Sequence, residues 1–318
     1  YPPGVSAGVR LFKEEKFDAV LATGPPWTSL LIGRRIARKT GRPFAADFRD
    51  PWLHNPWKPY WVVSKPAKRL ERRMEAGVVQ QASRVICNTS GLTEDFQSRY
   101  SDLPREHFFT LTNGYDPDDY QDIHAASELP ADSELTIAYA GNLYGARNPE
   151  PVFKALARLK EEGVPGAQQC RLHFIGTKIE DRLRKQAEGH GLAGQVDFTP
   201  QVPRQECLRQ LARAHVLLLL QPEARLQVPA KVFEYMQLHR PVLTIAGKGA
   251  TQELIEETGT GVVVDSNDVD KLSEVLKDFL SKHQQGKLLQ EQRNRDYHSL
   301  EFSTLAGRLA DLLNEITY

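Results

Sequence analysis

The sequence predicts an α/β protein built from two doubly wound parallel-sheet domains. Short apolar runs alternate with amphipathic segments along almost the whole chain, which is the pattern of parallel strands covered by helices on both faces. The length of 318 residues accommodates two domains of ordinary size. Residues 116–133 are rich in Asp, Pro and Ser and lack apolar periodicity, so they separate two groups of strands as a linker.

The first domain is predicted to span residues 1–125 and to be incomplete. Its candidate strands are residues 18–23, 43–48, 84–89 and 108–113. A doubly wound domain commonly has about six strands. Four strands therefore indicate that part of this domain is missing.

The second domain is predicted to span residues 132–299. Six candidate strands follow one another here: residues 135–141, 171–176, 196–201, 215–221, 241–247 and 261–265. Six strands with crossover helices form one complete doubly wound sheet, and ligands bind beyond the carboxyl ends of its strands. Two such domains facing each other form a cleft, so the loops after the strands are the candidate sites.

The composition is that of an ordinary globular protein and excludes several functions. The 41 basic and 41 acidic residues give a net charge of zero, which disfavours nucleic acid as a partner. Cys87, Cys170 and Cys207 are too far apart for a zinc site or a disulfide framework. No apolar run approaches the roughly 20 residues of a membrane span. We expect a cytoplasmic protein without a metal or other cofactor.

Lys231 and Glu234 open a predicted helix over residues 230–238. Because they are three residues apart, they share one helix face. A carboxylate there can accept hydrogen bonds from both hydroxyls of a ribose, and an ammonium can pair with a phosphate. An exposed Lys–Glu pair without a functional role has the same spacing, and spacing alone favours that alternative.

Four segments in order resemble the motifs of glycosyltransferase family 4 (group 1), polysaccharide-biosynthesis type. Residues 228–242 (VPAKVFEYMQLHRPV) are similar to its donor-site helix. Residues 139–147 (YAGNLYGAR) resemble the turn after the first strand of its second domain. The strands 171–176 and 196–202, and residues 112–116 (TNGYD), also match. The resemblance implies the GT-B fold, two Rossmann-like domains facing a cleft.

The resemblance implies roles for residues of the donor site. Glu234 would hold the donor ribose, and Arg147 matches the lysine that stabilises the diphosphate. An arginine can do this with two hydrogen bonds. Asn142 stands where the family often has arginine. The donor-binding set is Glu234, Lys231, Asn142, Gly141, Val202, Lys248 and Gly249, with Val202 near the base.

Leu226 is a departure from the family pattern. The family has a sugar-contacting glutamate eight residues before the ribose glutamate, and the nearest acid here is Glu223. We hypothesise an unusual donor sugar, such as a deoxysugar. The segment Gly247–Gly249 follows a strand, and glycine there permits a phosphate to approach the backbone. A tight strand–helix turn explains these glycines equally well.

Two loops of the first domain are the acceptor-side candidates. Residues 22–27 (ATGPPW) and 47–52 (DFRDPW) resemble segments of the polysaccharide-type members. Asp50 or Arg49 would contact the acceptor or the leaving phosphate, and Arg147, Asp50 and Arg49 are the catalytic candidates. Arg49 pairing with Asp47 or Asp50 inside the loop is the alternative. The acceptor-side candidates are Pro26, Trp27 and Trp52.

Residues 52–73 combine four aromatic residues with a basic segment. Trp52, Trp57, Tyr60 and Trp61 precede Lys65, Lys68, Arg69, Arg72 and Arg73. Aromatic and basic residues together suit the surface of a membrane, here the inner face, and thus a lipid-linked acceptor. A solvated basic helix is the competing interpretation.

The predicted function is transfer of a sugar from a nucleotide diphosphate donor to a glycan, lipid-linked or small-molecule acceptor. The resemblance implies a retaining, metal-independent hexosyl- or deoxyhexosyltransferase whose final helix, residues 300–318, packs back on the first domain. Tyr1–Pro3 resembles the end of the family's first strand. The rivals are a non-catalytic sugar-nucleotide-binding or scaffold protein of GT-B fold and a nucleotide-sugar epimerase.

Overall fold

The computed structural model describes residues 1–55, 64–125, 129, 134–293 and 295–317. Trp57, Tyr60 and Trp61 of the aromatic segment lie outside these described residues. The chain divides into two compact units. The first consists of Tyr1–Gly114, Arg225–Val228 and Ser299–Tyr318, and the second of Tyr115–Ala224 and Pro229–His298.

The first unit contains a four-stranded parallel sheet, as predicted. The strands are β1 (Val20–Gly24), β2 (Phe44–Phe48), β3 (Arg84–Cys87) and β4 (Phe108–Thr110), and they lie in this order. Residues of β2 and β3 are almost entirely buried, which explains their continuous apolar sequence.

The second unit contains six parallel strands, also as predicted. They are β5 (Thr136–Ala140), β6 (Arg171–Ile175), β7 (Val196–Thr199), β8 (Val216–Gln221), β9 (Val242–Ala246) and β10 (Gly261–Val264). Their order is β10-β9-β8-β5-β6-β7, so the winding reverses between β5 and β8. Ligands of doubly wound sheets bind at this reversal point, beyond the carboxyl ends of the strands.

Helices connect the strands in both units. They are α1 (Pro2–Glu14), α2 (Trp27–Thr40), α3 (Lys65–Gln81), α4 (Ser90–Arg99), α5 (Gln121–Ala125), α6 (Glu150–Glu161), α7 (Glu180–Gly189), α8 (Arg204–Ala212), α9 (Lys231–Gln237), α10 (Ala250–Thr258), α11 (Val269–Gln284), α12 (Gln290–Arg293) and α13 (Phe302–Thr317). The expectation that Tyr1–Pro3 ends a strand is wrong, because Pro2 and Pro3 begin α1. Proline is well tolerated in the first turn, where its missing N–H has no helical partner.

Helix α13 packs on the sheet of the first unit. Its Leu305 and Leu312 join a buried cluster with Ala45, Ile86 and Leu111. Leucines at three- and four-residue steps give this helix one apolar face, and that face needs a partner surface. A side chain at Gly114 would come within 2.2 Å of the Leu300 carbonyl oxygen, so the approach requires glycine there.

Residues 115–125 belong to the second unit, whereas the sequence placed them in the first domain and in the linker. Asp116 caps a short 3-10 helix (Pro117–Tyr120) by accepting a hydrogen bond from the Asp118 N–H at 3.1 Å. Tyr120 is fully buried, and α5 packs against α8. The buried tyrosine therefore anchors a segment whose polar composition resembles a linker.

Candidate functional site

The loop after β5 forms the centre of the candidate donor site. Gly141 has φ 111°, a conformation that favours glycine, and its N–H donates to the Ile175 carbonyl at 2.8 Å. A Cβ atom at this position would lie 3.2 Å from the Lys231 ammonium. The absence of a side chain therefore leaves backbone and ammonium adjacent at the reversal point of the sheet.

Lys231 is a mostly enclosed cation. Its Nζ donates to the Ala140 carbonyl oxygen at 2.6 Å and lies 4.5 Å from the centroid of the Tyr139 ring. Burial, assisted by the positive charge of Arg147, lowers the pKa of Lys231 to about 8. Lys231 forms no ion pair with a carboxylate of the described chain, Glu234 included. The alternative of an exposed Lys–Glu pair is thus wrong.

Arg147 lies beside Lys231 at the same edge of the sheet. Its Nη2 donates to the Gln221 side-chain oxygen at 2.8 Å, and its guanidinium lies 4.4 Å from the centroid of the Tyr144 ring. Gln221 ends β8, so this hydrogen bond joins the loop after β5 to the end of β8, and the winding reverses between these two strands. Two predicted donor-site cations therefore meet where the topology favours a ligand.

The other predicted donor residues lie in neighbouring loops. The Asn142 side-chain oxygen accepts from the Lys178 N–H at 3.2 Å, so this side chain ties two loops together. Val202 is half-buried after β7, and Lys248 is exposed after β9. Gly249 has φ 148° and precedes α10. Each residue follows the carboxyl end of a strand.

Glu234 contacts a residue that the sequence analysis did not identify. Its Oε1 accepts a hydrogen bond from Arg204 Nε at 2.9 Å. Arg204 also donates from Nη1 to Asp119 Oδ2 at 2.8 Å, and Nη2 lies 3.4 Å from the Tyr120 hydroxyl. Arg204 and Glu234 are thirty residues apart in the chain, so no local spacing signals the pair.

In the first unit, Arg49 pairs within its own loop. Its Nη1 lies 3.7 Å from Asp47 Oδ1 and donates to the Leu111 carbonyl at 3.4 Å, while Nη2 contacts the Asn113 side-chain oxygen. The Thr23 hydroxyl donates to Asp47 at 3.1 Å. Burial raises the pKa of Asp47, and the Arg49 charge opposes that shift. Arg49 thus joins the loops of the first unit, as the salt-bridge alternative states.

Asp50 contacts a short segment that the second half of the sequence contributes to the first unit. The Gln227 side-chain amide donates to Asp50 Oδ1 at 2.5 Å. Burial raises the pKa of Asp50, opposed by this hydrogen bond and by Arg49. The Thr89 hydroxyl donates to the Leu226 carbonyl at 2.9 Å, and the Leu226 side chain packs on the first unit's core. Leu226, in place of the family's glutamate, therefore has a packing role.

Trp52 is a core residue in the structure. Only 2% of its surface is exposed, and its ring stacks on Trp27 with centroids 5.2 Å apart and planes 5° apart. Pro26 precedes α2 directly, and Trp27 is the first residue of that helix. The expectation that Trp52 meets an acceptor is corrected: the stacked rings hold the two loops of the first unit together.

Glu75 is a second residue that the sequence analysis missed. It is fully buried on α3 and accepts hydrogen bonds from the Tyr100 hydroxyl at 2.8 Å and the Leu53 N–H at 3.2 Å. It also contacts the Arg99 guanidinium. His54 Nδ1 lies 3.0 Å from Asp95 Oδ1. These contacts fix the end of the loop that contains Asp50.

Two further features concern metals and membranes. Within the described ranges no three His, Cys, Asp or Glu side chains come together as a metal site. Among the helices of the described chain, none has the length and apolar character needed to cross a bilayer.

Two family models together match most of the chain. The model described as "Glycosyl transferases group 1" matches residues 120–297, which is more than half of the sequence. The model described as "Glycosyl transferase 4-like domain" matches residues 1–114. The chain therefore belongs to the group 1 glycosyltransferases.

Solved structures with the GT-B glycosyltransferase fold resemble the protein over almost its whole length. A sucrose-phosphate synthase from Thermosynechococcus elongatus is 18% identical with a TM-score of 0.72, covering 99% of this chain and 77% of that one. Anabaena HepE in complex with UDP and glucose is 18% identical with a TM-score of 0.68, covering 98% and 81%. The lipopolysaccharide outer core galactosyltransferase WaaB, in its apo form, is 16% identical with a TM-score of 0.68, covering 98% and 79%. No curated protein matches the sequence.

Proposed function

We propose that this glycosyltransferase takes its sugar from a nucleoside diphosphate donor bound by the second unit. The observation that carries the proposal is the position of Lys231 against Gly141 and of Arg147 against Gln221, beyond the carboxyl ends of the neighbouring strands β5 and β8. Two cations enclosed beside exposed backbone are suited to the two phosphates of such a donor. That HepE is described in complex with UDP and glucose supports the same class of donor.

The remaining parts of a nucleotide find suitable groups in adjacent loops. The Glu234 carboxylate accepts hydrogen bonds from the ribose hydroxyls. Val202, in the loop after β7, lies at the backbone that meets the base. Lys248 and Gly249 add a cation and an open backbone segment to the diphosphate side.

In the same proposal, Arg147 and Lys231 catalyse cleavage of the bond between the sugar and the diphosphate. Negative charge grows on the diphosphate as the bond to the sugar breaks, and fixed cations stabilise that charge without reorganisation. Because two side-chain cations are present, we propose that the reaction is metal-independent. Retention of anomeric configuration and transfer of a hexosyl or deoxyhexosyl group are parts of the same proposal, supported by the family resemblance.

Asp50 is the proposed contact for the acceptor hydroxyl. Its Oδ1 is held by Gln227, and burial raises its pKa, so the side chain is an oriented hydrogen-bonding group. Arg49 is proposed to position this loop. Since Leu226 packs in the first unit, the sugar contact made by the family's glutamate is missing, which supports a deoxysugar donor.

We propose that the protein is cytoplasmic and acts at the inner face of the membrane. Its proposed acceptor is lipid-linked or a polysaccharide. Helix α2 carries Arg34, Arg35, Arg38 and Lys39 and no acidic residue. On α3, Leu70 is 57% exposed among exposed basic residues. Exposed positive charge around an apolar side chain favours binding to anionic lipid. Co-sedimentation with anionic but not with zwitterionic vesicles, weakened by Leu70→Ser and Arg69→Gln, is the expected result.

The donor proposal is tested by calorimetric titration of UDP, GDP, dTDP and their sugars into wild type and Glu234→Ala. We expect one nucleotide to bind tightly and to lose at least about tenfold in affinity in the variant. Glu161→Ala, at an exposed glutamate that ends α6 and lies outside the proposed site, is the matched control and keeps wild-type affinity. Failure of every nucleotide to bind the folded, full-length protein would contradict the proposal.

A further inference from the structure

Arg204, at the start of α8, is the centre of a polar cluster of which the proposed function uses only Glu234. Each of its three guanidinium nitrogens faces a different acceptor. Nε contacts Glu234, Nη1 contacts Asp119, and Nη2 contacts the Tyr120 hydroxyl. A lysine cannot replace this arrangement, because its ammonium is a point charge without a planar, forked geometry.

The two oxygens of Glu234 differ in their environment. Oε1 is bound by Arg204 Nε at 2.9 Å, whereas Oε2 makes no hydrogen bond within the part of the chain that is described. The side chain is 31% exposed, so Oε2 is accessible to a ligand. One oxygen is thus anchored and the other is available.

The anchor of Arg204 itself is rigid on one side. Tyr120 is fully buried, and the Arg204 guanidinium lies 6.0 Å from the centroid of its ring. Asp119 belongs to the same 3-10 turn, which Asp116 caps. Because Arg204 binds both this turn and Glu234, the turn holds the Glu234 carboxylate in place through the guanidinium.

Stability does not explain the cluster. The side chains of Arg204 and Asp119 are 49% and 41% exposed. Ion pairs at such exposure contribute little to folding, because water and salt screen them. A network in which Arg204, Asp119 and Tyr120 hold one partly exposed carboxylate is better explained by what that carboxylate binds.

We propose that Arg204 is a positioning residue for the donor ribose. This inference rests on the proposed function. Arg204 holds Glu234 in the one orientation in which Oε2 faces the ribose hydroxyls, and Asp119 and Tyr120 hold Arg204. Because the carboxylate is ordered before the ligand arrives, binding loses less side-chain entropy.

Removal of one ribose hydroxyl separates positioning from a general structural effect. The affinities of UDP, GDP and dTDP are measured by calorimetry beside those of their 3′-deoxy forms, in wild type, Glu234→Ala, Arg204→Gln and Asp119→Asn. Arg209→Gln is the matched control, since Arg209 lies on the same helix, is similarly exposed and pairs only with Glu206 there. Circular dichroism and thermal unfolding establish that each variant is folded.

For the nucleotide that binds wild type, we expect the hydroxyl to strengthen binding by about tenfold. In Glu234→Ala this ratio falls close to one. In Arg204→Gln it falls at least about threefold, with Asp119→Asn intermediate and Arg209→Gln unchanged.

Two results would overturn the inference. If Arg204→Gln weakens both forms equally, or neither, while Glu234→Ala removes the ratio, the donor proposal stands and the role of Arg204 is refuted. If wild type binds no nucleotide, the donor proposal and the role of Arg204 fail together.

Discussion

Two arginine–glutamate clusters, Arg99 with Glu75 in the first unit of this glycosyltransferase and Arg204 with Glu234 in the second, differ in burial. In the first unit, Glu75 is fully buried and Arg99 is 22% exposed. In the second unit, Glu234 is 31% exposed and Arg204 is 49% exposed. Removing one partner of a buried pair leaves an uncompensated charge without water, whereas an exposed group regains its hydration.

This difference separates a role in folding from a role in binding. Both carboxylate oxygens of Glu75 accept hydrogen bonds from protein groups: Oε1 from the Tyr100 hydroxyl and Oε2 from the Leu53 N–H. One oxygen of Glu234 is instead open to a ligand. The same pair of residue types therefore holds a loop in the first unit and, in our proposal, orients a ligand-binding carboxylate in the second.

The largest expected effect is on the first cluster. Glu75→Ala leaves the Arg99 guanidinium and the Tyr100 hydroxyl without their carboxylate, so we expect a loss of about 3–5 kcal/mol in the free energy of unfolding. Urea unfolding measures it. Glu94→Gln, at an exposed glutamate of α4, is the control and changes stability by less than about 0.5 kcal/mol. A similar small change in Glu75→Ala would refute the distinction between the clusters.

The next effect concerns Lys231 and depends on pH. Its pKa is lowered to about 8 by burial and by Arg147, so the free protein loses this charge as pH rises through 8. A bound diphosphate favours the charged form, so nucleotide affinity is expected to be constant below pH 8 and to decline above it. Lys231→Met weakens binding at pH 7 by about 1.5–3 kcal/mol and lessens the decline above pH 8. Calorimetry from pH 6.5 to 9.5 checks both; an unchanged decline in the variant would assign it to another group.

A smaller effect is expected at Asp50. Asp50→Asn keeps the shape and removes the charge, so transfer to the acceptor falls by about tenfold while nucleotide affinity is unchanged. Because burial raises the pKa of Asp50, wild-type transfer should fall with acidification at a higher pH than an ordinary aspartate would give. Asp18→Asn, at an exposed aspartate, is the control. Equal transfer by Asp50→Asn and wild type would remove Asp50 from the acceptor site.

The smallest expected effect is on stability at the second cluster. Arg204→Gln should change the free energy of unfolding by less than about 1 kcal/mol, because the pair is exposed. Urea unfolding beside Glu75→Ala makes the comparison direct. A loss as large as that of Glu75→Ala would show that the second cluster serves folding as well.

The strands, and with them the loops that follow, could be predicted because their signals are local. Parallel strands are buried on both faces and read as continuous apolar runs, as in Val216–Gln221. The candidate donor residues Arg147 and Lys231 lie after β5 and β8, which are neighbouring strands of the sheet. The fold class and the positions of the loops after the strands therefore follow from short segments.

The clusters could not be predicted, because their partners come from distant parts of the sequence. Arg204 lies on α8, whereas Glu234 lies on α9 and Asp119 on the 3-10 turn before α5, so only the fold brings them together. Leu226 and Gln227 join the first unit through contacts with the core, Thr89 and Asp50. Trp52 is an aromatic residue of the kind that binding sites contain. Its burial depends on stacking against Trp27, which is the first residue of α2.

Donor cleavage is tested most directly by measuring nucleoside diphosphate release from the sugar nucleotide that binds best. The reaction is followed by phosphorus-31 NMR with a panel of monosaccharide, oligosaccharide, polysaccharide and lipid-linked acceptors, in wild type and Arg147→Ala. We expect release by wild type and a fall of at least about a hundredfold in the variant, because Arg147 stabilises the leaving diphosphate. Tight binding without release, for every acceptor, would contradict catalysis by this site and identify a sugar-nucleotide-binding protein.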